Sequence, residues 1–283
     1  MAMSRTIHTD LIKDKLVDLI RETSFIAPPF VKECFARIRE NETTDIARET
    51  MNILIENTEI AAAEHIPLCQ DTGVAVVFIE LGQSVRLEGP YIYDAVNSAV
   101  EKAYGMFYLR GSVVSDPLER KNTGTNTPAF IHLDIVPGET FRLDLMLKGG
   151  GSENMSALRM FRPTDSVDMI IDYIESTVVK AGPNPCPPLF LGVGIGGTAD
   201  TAMTNSKRAL LRPAGTRHSN PYYSDLEKRI YERLNSSGVG PMGFGGAGTV
   251  GAVFIKEAPA HIASLPVALN LNCHSLRVAG CEL

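Results

Sequence analysis

The apolar positions in the first 65 residues follow the spacing of amphipathic helices, with charged residues between them. On the first predicted helix these positions are Leu11, Ile12, Leu16, Leu19 and Ile20. Pro28 and Pro29 interrupt the pattern, because proline lacks the N–H group that a continuing helix needs. A second apolar face begins at Val31, and a third helix is predicted over 44–63. The N-terminal region is therefore expected to be helical.

Strands and helices alternate in the rest of the chain. The run VAVVFIEL, at 74–81, is apolar at nearly every position, which is typical of a buried strand. The stretches 131–135 and 141–147 alternate apolar and polar residues and flank a Pro-Gly-Glu-Thr turn, so they predict a β-hairpin. Further helices are predicted over 92–108, 165–180 and 198–211 and after Tyr223, and further strands at LFLGVGI, VGAVFI and PVALNLNC.

These elements predict a mixed α/β fold of the α+β kind, with helices packed around mixed or antiparallel sheets. No clear linker, internal repeat or low-complexity segment divides the chain. We therefore expect a single domain over residues 1–283, in which 1–65 form a helical N-terminal region. The sequence leaves open a division of this domain into two lobes.

Composition narrows the classes of function. Hydrophobic residues make up 44% of the chain and charged residues 21%, which is ordinary for a globular protein. The formal net charge is −6, so binding to nucleic acid or to an anionic membrane is not expected. The sequence shows no signal peptide and no apolar run long enough to cross a membrane, so a cytoplasmic location is expected.

The five cysteines do not suggest a disulfide framework, because their number is odd and their spacings are long. Cys34 shares a helical face with apolar residues and is expected in the core, and Cys281 is expected as a free thiol near the C-terminus. Cys69, Cys186 and Cys273 each lie where an element ends and a turn begins, a place that suits rigid ligands. Three such thiolates would suit an iron–sulfur site. Spacing alone also allows three unrelated core cysteines.

Two glycine-rich segments are candidate anion sites. In GVGIGG, Gly192, Gly194 and Gly197 match a dinucleotide-binding pattern, but the acidic residue expected about 20 positions later is missing. We expect instead a glycine-lined helix N-terminus that faces an anion or a cluster. In KGGGSEN, three glycines at the start of a helix could present amide groups to a carboxylate. The alternative is a flexible turn beside a solvated Lys148.

Five segments in a fixed order together resemble one family: PLCQDTG, LRGSVVSDPLERKNTGTNTP, KGGGSEN, NPCPP with GVGIGGTAD, and HIASLPVALNLNCHSLR. They are similar to the α-subunit of class I fumarate hydratases and L-tartrate dehydratases, and to the N-terminal part of single-chain class I fumarases. The resemblance extends over nearly the whole chain. It implies a hydro-lyase that hydrates fumarate reversibly to L-malate.

The resemblance also implies an active site. In the family a [4Fe–4S] cluster is held by three cysteines, matched here by Cys69, Cys186 and Cys273, and the fourth iron is open to act as a Lewis acid. Catalytic roles are implied for Gln70, Asp71 and His261, and binding of a substrate carboxylate is implied for Arg110. The residues implied to bind the other carboxylate are Lys148, Gly149, Gly150 and Gly151.

The resemblance further implies partners and a substrate. The single-chain enzymes carry a second domain that is missing here, so a separate β-subunit is expected to complete the site, in an oligomer. KGGGSEN and the Cys-His pair at 273–274 resemble fumarases, which favours fumarate and L-malate. L-tartrate or another hydroxy-diacid is the alternative.

A non-catalytic iron–sulfur sensor and a cluster-free assembly partner are alternatives of other classes. The sensor would not need carboxylate-binding groups.

Overall fold

The computed structural model describes residues 5–213 and 215–283. It confirms the predicted fold class, since helices are combined with mixed and antiparallel sheets. The predicted helical N-terminal region is also present. In the described part of the chain, no helix combines the length and the apolar character that crossing a membrane requires.

The secondary structure elements follow the predicted order, with several short strands added. The strands are β1 (Arg5–His8), β2 (Val74–Gly82), β3 (Val85–Glu88), β4 (Phe130–Val136), β5 (Phe141–Lys148), β6 (Ala157–Phe161), β7 (Leu189–Gly196), β8 (Val250–Ala258), β9 (Leu265–Asn272) and β10 (Val278–Glu282). The helices are α1 (Thr9–Phe25), α2 (Pro29–Asn41), α3 (Asp45–Glu64), α4 (Ile92–Met106), α5 (Gly150–Glu153), α6 (Val167–Ala181), α7 (Ala199–Ala209) and α8 (Pro221–Asn235).

The chain divides into two compact units, each assembled from separate stretches of sequence. The first unit comprises the residues up to Ala27, Ile60–Gly150 and Arg277–Leu283. The second comprises Pro28–Glu59 and Gly151–Leu276.

The first unit is built on a four-stranded sheet in the order β10-β5-β2-β4, beside a two-stranded pair of β1 and β3. Helices α1 and α4 pack on each other and share one hydrophobic core with this sheet. Alternate residues of β2 and β5 point into that core, including Val77, Ile79, Leu143 and Leu145. The period of two therefore gives the sheet one apolar face, which the amphipathic helices cover.

The hairpin predicted for β4 and β5 is wrong. Strand β2 lies between them, parallel to β4 and antiparallel to β5. The turn after β4 instead contacts the end of β2, where the Gly82 N–H donates to the carbonyl of Thr140 at 2.7 Å. The reason is that β2 is buried along most of its length and therefore takes the interior position, whereas β4 is more exposed and forms the edge.

The second unit contains a four-stranded sheet in the order β6-β9-β7-β8. Strand β7 is parallel to β8 and antiparallel to β9. Leu191 and Val193 of β7 are buried in one hydrophobic core with residues of α6 and α8. The other positions of β7, Gly192 and Gly194, contact α7.

The expected glycine-lined helix N-terminus is present, because Gly196 and Gly197 directly precede Thr198, the N-cap of α7. The two earlier glycines of the GVGIGG segment instead serve packing. Gly192 and Gly194 lie inside β7 rather than in a loop. A methyl group at Gly192 would overlap the carbonyl oxygen of Ser206, and one at Gly194 would overlap that of Ala202. The glycines therefore allow the backbone of α7 to lie directly on β7, which explains their spacing without a bound anion.

Gly194→Ala is expected to lower the free energy of unfolding by about 3 kcal/mol or more, because the added methyl group forces α7 away from β7. Gly105→Ala is the matched control, since no heavy atom lies within 4 Å of a methyl group there. In helix α4 that change should stabilise the protein by about 0.5–1 kcal/mol. Urea unfolding of both variants checks the prediction, and equal effects would contradict it.

Candidate active site

Asp71 lies on the loop that leads from Cys69 into β2, and both oxygens of its carboxylate are engaged. Oδ1 accepts a hydrogen bond from the backbone N–H of Gly73 at 3.0 Å and lies 3.4 Å from the Ser112 hydroxyl, which donates to it. Oδ2 accepts from the backbone N–H of Gly150 at 2.7 Å. The two backbone amides therefore fix the orientation of the Asp71 carboxylate, with the Ser112 hydroxyl as a longer third contact.

The backbone of Arg110 is hydrogen-bonded to Thr72, the residue that follows Asp71. Its backbone N–H donates to Thr72 Oγ1 at 3.0 Å, and that hydroxyl donates to the carbonyl of Arg110 at 3.1 Å. The buried Asn126 continues this connection, because its side chain accepts from Ser112 N–H and donates to the carbonyl of Gly73. The backbone of Arg110 is thus held beside the Asp71 loop, while its side chain is exposed.

The glycine run lies against Asp71. A methyl group at Gly149 would lie 3.2 Å from Asp71 Oδ2, and the N–H of Gly150 donates to the same oxygen. The amide of Gly150, implied by resemblance to bind substrate, therefore binds Asp71 here. Lys148 is only 1% exposed, so the alternative of a solvated lysine is wrong.

Cys186 lies in the turn between α6 and β7. Its backbone is left-handed, with φ at 55°, which is uncommon for a residue other than glycine. Its N–H donates to the carbonyl of Pro183 at 2.9 Å, which closes the turn. The residue is only partly buried. An uncommon backbone conformation at a partly exposed thiol is the kind of constraint that often marks a functional site.

Cys273 directly follows β9 and lies on a segment bound to the Cys186 turn. The N–H of His274 donates to the carbonyl of Cys186 at 3.1 Å, and His274 Nδ1 lies 3.2 Å from the same oxygen. The sulfur of Cys273 is 3.3 Å from Ser275 Oγ. Two of the three motif cysteines therefore lie on hydrogen-bonded segments of the second unit.

A glycine-rich loop that begins at Gly238 is hydrogen-bonded to the segment that follows Cys186. The N–H of Met242 donates to the carbonyl of Pro187 at 2.8 Å. Glu42, only 5% exposed, fixes the far end of this loop by accepting from the backbone N–H groups of Ala247 at 2.9 Å and Gly248 at 2.7 Å. The seven glycines between 238 and 251 thus form an ordered support within the second unit.

The remaining predicted residues lie on exposed segments. His261 is in the turn between β8 and β9, and its Nδ1 accepts from the N–H of Ala263 at 3.1 Å. Gln70 is exposed on the loop before β2. The first unit contains Cys69, Gln70, Asp71, Arg110, Lys148, Gly149 and Gly150, and the second contains Gly151, Cys186, His261 and Cys273.

The sequence did not indicate the residues that bind Asp71 or the segments next to it. They are Thr72, Ser112, Asn126 and Arg277. Arg277 is 2% exposed and donates from Nη1 to the backbone carbonyl of Asp71 at 2.8 Å. All four lie inside the motifs that carry the family resemblance, so membership of a motif was the signal that could have found them.

The chemistry of the thiols fits an iron–sulfur group. The three motif cysteines are partly buried, lie outside helices and strands, and take part in no disulfide. Thiolate sulfur in such positions is the usual ligand of iron–sulfur clusters. Within residues 5–213 and 215–283, no group of three or more His, Cys, Asp or Glu residues forms a site for a single metal ion. Support for a cluster therefore comes from the kind of ligand atom, which is cysteine sulfur.

The sequence matches a known class of enzyme. The family model described as fumarate hydratase (fumerase) matches residues 13–282, so the chain belongs to the fumarate hydratase family. Within that family it is of the class I α type, as its relatives show.

Three relatives are described as the alpha subunit of an L(+)-tartrate dehydratase, one of them as putative. A putative L(+)-tartrate dehydratase subunit alpha of Methanocaldococcus jannaschii is 40% identical over 275 residues, covering 95% of this chain and 96% of that protein. The L(+)-tartrate dehydratase subunit alpha of Escherichia coli O157:H7 is 30% identical and that of Shigella sonnei 29%, each over 272 residues, with 93% of this chain and 89% of the relative covered. Family and relatives together identify a hydro-lyase of the α-subunit type.

Proposed function

We propose that this chain is the α-subunit of a [4Fe–4S]-dependent hydro-lyase that interconverts fumarate and L-malate. The observation that carries the proposal is the Asp71 carboxylate, held by the amides of Gly73 and Gly150 on a loop that begins at Cys69. A carboxylate fixed in this way is suited to proton transfer, because a catalytic acid or base must be positioned before it acts.

Cys69, Cys186 and Cys273 are proposed as the ligands of the cluster. When bound, the cluster would supply an open iron that acts as a Lewis acid toward the substrate hydroxyl. The left-handed backbone at Cys186 and the His274 hydrogen bond to its carbonyl support this role, because they fix the segments that carry two of the thiols.

The other residues are proposed to bind and orient the diacid. Arg110 binds one carboxylate, since its exposed guanidinium can donate two parallel hydrogen bonds. Asp71 moves a proton or orients the leaving hydroxyl. Gln70 and His261 contribute further polar contacts to the substrate. The glycine run, Lys148 with Gly149, Gly150 and Gly151, lies at the second carboxylate.

Arg110→Lys is expected to raise the KM for L-malate by about 10- to 100-fold, because lysine cannot replace the two-pronged hydrogen bond. Arg120→Lys is the matched control, as Arg120 is exposed on the same irregular segment and has no proposed contact with substrate. Steady-state kinetics of the assembled enzyme test the prediction. An unchanged KM in Arg110→Lys would remove this residue from the site.

L-tartrate is the second candidate substrate, and the names of the relatives favour it. The KGGGSEN and Cys-His segments favour fumarate and L-malate. Anaerobic assays of the assembled enzyme decide between them, with dehydration of L-malate to fumarate and of L-tartrate to oxaloacetate measured side by side. The proposal predicts a kcat/KM at least about tenfold higher for L-malate. A preference for L-tartrate would keep the hydro-lyase class and change the substrate.

A separate β-subunit is proposed to complete the site, as the word alpha in the relatives' names suggests. A purely cluster-binding sensor is the less favoured alternative. Such a protein would have no use for a fixed carboxylate on its cysteine loop or for an exposed arginine whose backbone is bound to that loop.

A further inference from the structure

Arg277 places a buried positive charge behind the Asp71 loop. It directly precedes β10, and its backbone carbonyl accepts from the N–H of Leu147 in β5 at 2.9 Å. Its side chain is nearly completely buried and donates from Nη1 to the carbonyl of Asp71 at 2.8 Å. One residue thus connects the end of β5 to the loop that carries the proposed acid–base group.

The same guanidinium also reaches the glycine run. A methyl group at Gly149 would lie 3.4 Å from Arg277 Nη2 and 3.2 Å from Asp71 Oδ2. The space next to Gly149 is therefore bordered by both the guanidinium and the carboxylate. A side chain at this position would crowd both groups.

Arg277 is not fully satisfied by these contacts. Its Nε is buried and has no hydrogen-bond partner. A buried cation with an unused donor is costly, and an apolar side chain of similar size could fill the same space without that cost. The arginine is therefore better explained by its charge and hydrogen bonding than by packing.

Tyr104 shows that the backbone of this loop is held along its length. Its hydroxyl donates to the carbonyl of Gly73 at 2.8 Å and lies 3.3 Å from that of Thr72. Burial raises the pKa of the Tyr104 phenol, so the hydroxyl stays protonated as a donor. Together with Arg277, this tyrosine engages three consecutive carbonyl groups, which begin at Asp71.

We infer that Arg277 is a positioning residue of the active site. It fixes the main chain of Asp71 and holds a permanent cation behind the place where Asp71 meets Gly149. This inference rests on the proposed function in that Asp71 is taken as the acid–base group.

Arg277→Met and Arg277→Lys test the inference in the assembled enzyme. Arg277→Met should lower kcat for L-malate by about 100-fold while KM changes less than about threefold, because Asp71 is misplaced but Arg110 still binds substrate. Arg277→Lys restores the charge and one donor and should recover at least about tenfold of that loss. Arg142→Met is the control, since Arg142 lies on β5, the strand that the backbone of Arg277 contacts, but its side chain pairs with Asp144.

Hydrogen exchange provides a readout that does not depend on turnover. The peptides covering 71–74 and 147–152 contain the two amides that bind Asp71, and both should exchange faster in Arg277→Met and Arg277→Lys than in the wild type. Arg142→Met should leave both peptides unchanged. If Arg277→Met does not fold, Arg277→Lys carries both measurements.

The outcomes separate this inference from the proposed function. Wild-type protein without any hydro-lyase activity would refute the proposed function, and exchange alone would then decide whether Arg277 fixes the loop. Active wild type with an Arg277→Met variant that matches Arg142→Met in kcat and exchange would overturn the inference. So would an Arg277→Lys variant that is no more active than Arg277→Met.

Discussion

Cys186→Ser is expected to abolish retention of the cluster while the chain still folds. A serine hydroxyl is a hard and weakly acidic donor, and it replaces a thiolate poorly as a ligand of iron in a cluster. The residue lies in a partly exposed turn rather than in either hydrophobic core, and serine adds no bulk to the left-handed backbone there. Iron and sulfide per chain, measured after anaerobic reconstitution, should fall to background, and turnover should fall with them.

Cys281→Ser is the matched control for this prediction. Cys281 lies in β10, where it pairs with Leu143, and belongs to none of the motifs. Burial raises the pKa of its thiol, so the thiolate that could bind iron forms less readily. Its replacement should leave the iron content unchanged. Wild-type iron content in Cys186→Ser would show that this cysteine is not a ligand. A thermal unfolding curve separates the expected loss of iron from a folding defect.

Asp71→Asn is expected to lower kcat by about 10²- to 10⁴-fold, the usual contribution of a positioned acid or base. The amide cannot take up a proton as the carboxylate does. It also offers one acceptor oxygen where the carboxylate offers two, so its NH₂ group would face either the N–H of Gly73 or that of Gly150. The loop should therefore lose part of its order together with its chemistry.

Asp116→Asn is a control with similar backbone contacts. The Asp116 carboxylate is exposed and accepts from the N–H groups of Leu118 and Glu119, each at 2.8 Å. These bonds lower the pKa of Asp116, yet the residue has no proposed role in turnover. Steady-state kinetics of both variants, with cluster content measured in the same samples, test the role of Asp71. Comparable kcat values in both variants would remove Asp71 from the chemistry.

The longer elements of the fold could be predicted from the sequence because their patterns are local. The apolar face of α1 and the buried run of β2 each carry their signal within one segment. The position of β2 between β4 and β5 could not be predicted in this way, since it depends on which strand is buried most completely in the finished sheet. Short strands such as β1 and β10 are too brief to show a period.

The candidate site likewise contains residues that the sequence reveals and residues that it does not. Motif residues such as Asp71 and Cys186 are recognisable because the resemblance is carried by the residues themselves. Arg277 lies in one of these motifs, but its contact with the Asp71 backbone joins segments that are distant in sequence. Glu42 also acts on the backbone of a distant segment, and it lies in no motif. Gly194 shows the reverse case, in which a pattern typical of phosphate binding serves the packing of α7 on β7.

Anaerobic reconstitution of this chain with iron and sulfide, with and without its β-subunit, tests the central claim most directly. The account predicts that the α-subunit alone binds a cluster and that L-malate is converted to fumarate only after the β-subunit is added. Failure to bind iron and sulfide under either condition would contradict the account, because Cys69, Cys186 and Cys273 would then not be cluster ligands in this protein.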